Sequence, residues 1–336
     1  MDSLTQIVLG ASVGEAVLGK KVGNRAMLWG AIGGTIPDLD VFLKYFVDDI
    51  TSTEMHRGFS HSLVFAILIA PVLGWIAKKI HKKFKGVTFK NWSWMFFWIV
   101  VTHPLLDAHT SWGTQFFWPF EYRLAYQNIF VVDPLYTVPF LILVAIAMFH
   151  KKENPRRNKF NKAALIVSSS YMLLTLVFKG VSHSAFHNEL ENQNIEYVEL
   201  DTKPTPLNTI LWNAFIETET GYRTAYFSLF DSQKIQFSDE FKKNHELLNP
   251  YIDQKVVQQL IKISAGWYFV EKEENSFLFW DIRFGQVGID LNNSPFIWCY
   301  KLTPNENGQI GVERLRPDFK NMKGMLTTLF NRAKGN

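Results

Sequence analysis

Apolar residues fall into six runs before residue 182, at roughly 4–19, 26–47, 59–77, 92–108, 129–149 and 161–181. A bilayer core takes about 20 apolar residues of helix, so the third, fifth and sixth runs are long enough to cross one. The first run is short and rich in Gly and Ala, which predicts a helix that spans by packing closely against a neighbour. The second should break at Gly33-Gly34 and Pro37. From about residue 190 the pattern changes. NIEYVELDTKPTPLNTILWNAFIETETGYRTAYFSLFD alternates apolar and polar positions and reads as strands. EFKKNHELLNPYIDQKVVQQLIKIS has helical spacing, and SFLFWDIRFGQVGI and FIWCYKLTP return to strands. The expected fold is a polytopic α-helical membrane domain of five or six apolar segments over residues 1–185. A smaller, soluble α+β extracytoplasmic domain follows over 190–336.

Charge gives these segments a direction. Lys20, Lys21 and Arg25 follow the first run, six lysines between Lys78 and Lys90 follow the third, and Lys151, Lys152, Arg156, Arg157, Lys159 and Lys162 follow the fifth. The alternate loops carry Lys44, Arg57 and Arg123. Cationic loops stay cytoplasmic, so the N-terminus and the region after the sixth run are expected outside, in a bacterial inner membrane. MDSLTQIVLG has no basic leader and no small-residue cleavage site, so it does not read as a cleaved signal peptide.

Composition narrows the chemistry. The net charge is +4, but the cations sit in short clusters between apolar runs, which is a membrane pattern and not a nucleic-acid footprint. Cys299 is the single cysteine, so no internal disulfide and no thiolate metal cluster is possible.

Several ionisable residues stand at run ends where they are costly. Asp38 and Asp40 (PDLD) close the second run, His56 and His61 (HRGFSHS) open the third, and His103, Asp107 and His109 (HPLLDAH) close the fourth. Asp133 opens the fifth. The charge alternation puts all of them on the outer side at similar depth, and such groups usually face one another or a polar cavity. His103 and Asp107 are i, i+4 and share a helix face. Imidazole with carboxylate suits zinc, iron or manganese. The metal candidates are therefore His56, His61, His103, Asp107 and Asp133, with Asp38 or Asp40 as general base and Arg57 as anion holder. Each piece has a plainer reading. PDLD can be a helix stop in a wet turn, HRGFSHS a loop in which Ser60 caps the third run, and His183 with His187 a wet linker. His109 is expected near solvent, and Glu15 paired inside the bundle.

MDSLTQIVLGASVGEAVLGKKVGNRAMLWGAIGGTIPDLD, HRGFSHS, HPLLDAHTSWGTQFFWPF, VVDPLYTVP and PTPLNTILW resemble the YdjM-like family of bacterial membrane-bound, metal-dependent hydrolases, described as LexA-regulated. The resemblance implies an inner-membrane protein with a metal site. It carries over Asp38, Asp40, His56, His61, His103 and Asp107 as motif positions, and Asp133 from the DPLYT motif. This chain departs from the pattern at Gln6, where many relatives have histidine, and at His109, where they have an apolar or aromatic residue.

The function expected is a metal-dependent hydrolase, zinc first among the metals. It would work at the outer membrane–water boundary on an ester or phosphoester of a lipid or lipid-linked substrate. The alternative is a non-catalytic envelope or transport protein with an ion-binding polar cluster. A transporter should show repeated halves and ligands near the midplane, and neither is legible here.

Overall fold

The computed structural model describes residues 1–317 and 322–335. Two compact units divide the chain: Met1–Val47, Met55–Leu176 and Pro206–Asn208 form one, and Asp48–Glu54, Val177–Thr205 and Thr209–Asn336 the other.

In the first unit, α1 (Ser3–Val22) begins at Asp2, whose side chain accepts from Thr5 N, and turns at Gly23 into α2 (Asn24–Thr35). These two helices touch backbone to backbone. A Cβ on Gly10 would lie 2.2 Å from the Gly30 carbonyl oxygen, and one on Gly14 2.3 Å from that of Ala26. The small residues at four-residue spacing on both helices are what permit this approach. The second apolar run breaks as its sequence predicts: α2 stops at Thr35 and a 3-10 helix, Pro37–Tyr45, follows.

After α3 (Asp49–Met55) and a short 3-10 turn, Phe59–His61, comes α4 (Leu63–Ile80). Ser62 caps it by accepting from Phe65 N, so the cap expected of Ser60 belongs to Ser62. Next are α5 (Phe89–Asp107), which opens with a Thr88–Asn91 capping box, and α6 (Pro134–Phe149). The last is α7 (Pro155–Asn192).

Of these, α4 and α7 are long and apolar enough to cross a membrane, and α6 is a shorter apolar helix. Five or six crossings were expected. The difference lies in length for α2, with 12 residues, and α6, with 16, and in polar content for the others: α1 carries Gln6, Ser12, Glu15, Lys20 and Lys21, and α5 carries Lys90, Asn91, His103 and Asp107. Val64, Ile67, Leu68, Val72 and Trp75 are exposed along α4, as are Ile166, Val167, Leu173 and Leu174 along α7. A continuous apolar face of this size is unfavourable in water and natural against lipid.

Two polar clusters are paired inside the unit. Arg157 donates from Nε to Glu15 Oε1 at 2.6 Å and from Nη2 to Glu15 Oε2, with further bonds to Asn24 Oδ1 and the His150 carbonyl. Glu15 is thus paired within the bundle, as anticipated, whereas Arg157, counted above as a loop charge, is drawn inside. One turn away Ser12 and Asn161 exchange two hydrogen bonds.

Among the described residues, the second unit holds two four-stranded antiparallel sheets. One runs in the order β1 (Glu199–Pro204), β2 (Leu211–Glu217), β3 (Gly221–Ser228), β4 (Phe241–Lys242). After α8 (Lys255–Ser264) come β5 (Tyr268–Lys272), β6 (Phe277–Gln286), β7 (Phe296–Pro304) and β8 (Ile310–Leu315), then α9 (Met322–Ala333). Phe215, Tyr222, Phe269, Ile282 and Phe296 make a core that both sheets share. The stretch holding His183 and His187, read above as a wet linker, is instead helical: it belongs to α7, whose Phe186 and Leu190 pack on Trp212, Ala214 and Ile216. His187 bonds Tyr197 through Nδ1 at 2.8 Å.

Candidate metal centre

Three short sequences meet at the ends of α2, α4 and α5. Asp38 lies on the 3-10 helix Pro37–Tyr45, His61 on the turn before α4, and His103 and Asp107 one turn apart on the last residues of α5. One ligand atom from each falls within 4.8 Å of the others. His61 Nε2 and His103 Nε2 are 3.1 Å apart. Asp38 Oδ1 is 3.4 Å from the first and 3.3 Å from the second, and Asp107 Oδ2 is 3.4 Å from both.

The remaining atoms of these side chains show what the four converging atoms are. His103 Nδ1 stands 2.6 Å from the Gly34 carbonyl oxygen, which can only accept, so Nδ1 carries the proton and Nε2 offers a lone pair. Ser60 Oγ donates to Asp40 Oδ2 at 3.1 Å and accepts from His61 Nδ1 at 2.9 Å, with Asp40 Oδ2 itself 3.4 Å from that nitrogen. In its neutral form His61 then also offers a lone pair at Nε2. Two lone pairs and two carboxylate oxygens point at one place, where they repel one another unless a cation lies between them. Asp107 Oδ2 is buried without a hydrogen-bond donor. A tetrahedral zinc site with arms of about 2.0–2.1 Å has edges of about 3.3–3.4 Å; the four His–Asp separations are 3.3–3.4 Å and the His–His separation is 3.1 Å. The residues present fit a divalent metal ion.

Around these four is a second layer. Asp40 accepts from His56 Nδ1 at 3.0 Å and from the Arg57 backbone N–H at 2.8 Å, so it ties the HRGFSHS segment to the 3-10 helix. Arg57 sits at φ 56°, a conformation that costs a side-chain-bearing residue on the order of 1–3 kcal/mol unless its surroundings hold it. Its carbonyl accepts from Gln115 N at 3.0 Å, its Nε is 3.2 Å from Asp107 Oδ2, and its Nη1 donates to Thr110 Oγ1 at 2.8 Å. Gln6 donates from Nε2 to Asp107 Oδ1 at 2.9 Å and to the His103 carbonyl at 3.3 Å.

The structure thus gathers Asp38, His61, His103 and Asp107, with Asp40, His56 and Arg57 immediately behind them. His56 is held by Asp40 and is not among the four. Asp133 is elsewhere: it caps α6 through Leu135 N and Tyr136 N and accepts from Tyr171 Oη at 3.0 Å. Its place in the motif is that of a helix cap, since an aspartate before Pro134 is well suited to that work. His109 turns to Asn128 Oδ1 at 2.8 Å, outside the group. Sequence reasoning took Ser60 for a cap and gave no role to Thr110 or the Gly34 carbonyl. A hydroxyl beside a buried His-Asp pair was a usable signal for Ser60; a backbone carbonyl leaves none.

Residues 1–185, which contain every group just described, match the family described as YdjM inner membrane protein. The chain belongs to that family. YdjM membership places it among inner-membrane proteins, in agreement with the apolar faces of α4 and α7. The protein named Inner membrane protein YbcI of Escherichia coli (strain K12) is 27% identical over 146 residues, which are 41% of this chain and 82% of that protein. No solved structure matches the chain.

Proposed function

We propose that this YdjM-family protein is a membrane-embedded, metal-dependent hydrolase working at the outer membrane–water boundary on an ester or phosphoester of a lipid or lipid-linked molecule. The observation that carries the reading is the convergence of four proton-accepting atoms whose imidazoles are both locked from behind. His61, His103 and Asp107, all buried, would hold the ion, with zinc favoured by the nitrogen and oxygen donors and iron or manganese compatible. A divalent ion held there would supply Lewis acidity toward a carbonyl or phosphoryl oxygen and would lower the pKa of a bound water toward neutrality. Asp38 has 22% of its side chain exposed, where the other three are at 0–1%. It is the member that an incoming substrate meets and the one placed to take up a proton. Asp40 orients His61 through Nδ1, and Arg57 balances the charge of Asp107. The arginine's bonds within the protein make it a positioning residue, where the sequence suggested an anion holder. His56 fixes the second oxygen of Asp40.

The multi-pass arrangement, with cationic loops inside and the second unit outside, belongs to the same proposal and rests on the loop charges. Incubation of the full-length protein and of Asp38→Asn with a bacterial lipid extract tests the reaction. Loss of a lipid species with wild type and not with the variant is expected. No cleavage by either over a broad lipid panel would favour the non-catalytic ion-binding reading.

A further inference from the structure

The 3-10 helix Pro37–Tyr45 has two unlike sides. Asp40 is buried and Asp38 Oδ1 faces the two histidines, yet Leu39 and Val41 on the same element are exposed. Phe42 is 52% exposed, Tyr45 71% and the following Phe46 82%. The rings of Phe42 and Tyr45 stack at 6.3 Å, and the Lys44 ammonium lies 5.1 Å over the Tyr45 ring. Aromatic rings beside a lysine are the composition found at headgroup depth. Across the group, Phe59 is also exposed; its ring is 5.0 Å from Trp118 and 5.5 Å from Phe65 of α4. From there the apolar surface continues along the exposed Val64, Ile67 and Leu68 of a helix long enough to cross a membrane. The Ser60–Asp40 hydrogen bond joins the two sides of this rim.

We infer that the site is loaded from the bilayer: an amphiphile lays its hydrocarbon tail against Phe42, Tyr45 and Phe46 and brings its polar head to Asp38. The inference rests on the hydrolase reading for what happens to the head, while the tail surface stands on exposure and continuity alone. The partly exposed carboxylate and the exposed rings lie within one short helix and the residue after it, so the apolar edge adjoins the open side of the polar group. A substrate arriving from water would have no use for such an edge. A substrate anchored in lipid needs one to stay anchored while its head reaches buried ligands.

The test is photochemical and does not use cleavage. Full-length protein is reconstituted into phosphatidylethanolamine–phosphatidylglycerol vesicles containing a phosphatidylglycerol with a diazirine near the head end of one acyl chain. Irradiation should place adducts on Phe42, Tyr45 or Phe46 as well as on residues 63–80, and Phe42→Ser/Phe46→Ser should lose the first set and keep the second. Adducts on 63–80 with none on 37–46 would overturn the inference, leaving the membrane and hydrolase readings intact and pointing to a protein partner or water at this edge. Adducts on neither segment would overturn it together with the membrane placement.

Discussion

His61 Nε2 and His103 Nε2 stand 3.1 Å apart, each with its ring turned so that Nδ1 meets an acceptor of the protein. Two imidazoles fixed edge to edge in this way, between two carboxylates, form an arrangement that a cation stabilises. The backing group behind one of them can be removed without touching the four converging atoms. Asp40→Asn should weaken metal affinity by roughly 10–100-fold, the usual effect of losing a carboxylate behind a ligating histidine. Competition with a chromogenic chelator measures it, and an unchanged affinity would mean that Asp40 serves the loop and not His61.

The Glu15–Arg157 pair offers a test of the bundle. Both side chains are buried and hydrogen-bonded, so removing one leaves the other charged and unmatched. Arg157→Leu alone is expected to destabilise by about 3–5 kcal/mol, and Glu15→Leu/Arg157→Leu to recover most of that loss. Thermal unfolding in detergent compares the three. A double variant no better than the single one would show that the pair is not the unit of stability.

Helix contact between α1 and α2 depends on the absence of side chains. Gly30→Leu would drive a Cβ into the Gly10 carbonyl, 2.1 Å away. Backbone cannot yield there as a flexible side chain would, so the cost should reach or exceed the roughly 1–3 kcal/mol of ordinary overpacking. Because α1 also carries Gln6 and the last turn of α2 carries Gly34, both touching the polar group, the variant should lose metal binding along with thermal stability. Metal binding retained at wild-type level would separate the two.

Much of this was legible in the residues. Polar groups at the ends of apolar runs gave away Asp38, His61, His103 and Asp107 because a bilayer makes such groups rare, and the break at Gly33-Gly34 and Pro37 followed from backbone chemistry. Asp133 misled because a carboxylate at a helix start can cap the helix or bind an ion, and sequence spacing does not separate the two. Arg157 misled because an arginine just after a loop looks solvated until its partner, 142 residues away, is placed beside it. In the second unit FIWCYKLTP is strand β7 to the residue, whereas β5, β8 and α9 lacked a long enough pattern to be seen.

The single cysteine reports on the second unit. Cys299 is buried in β7 between Trp280 and Leu315 on the neighbouring strands, and burial, with Glu271 and Glu273 nearby, pushes its thiol up to about 12. The thiolate, which is the reactive form, is therefore suppressed at neutral pH in the folded chain and returns toward its ordinary range on unfolding. Maleimide labelling at pH 7 should be slow in native protein and fast in denaturant. Fast labelling of the native protein would contradict this packing of β7.

Metal content bears most directly on the centre itself. Full-length protein purified without chelators should carry about one divalent ion per chain, as a single group of converging ligand atoms implies. By elemental mass spectrometry that ion should be absent from His61→Ala and His103→Ala and retained in His109→Ala. Equal metal content in all four proteins, or none in the wild type after exposure to zinc, would contradict a metal centre at Asp38, His61, His103 and Asp107.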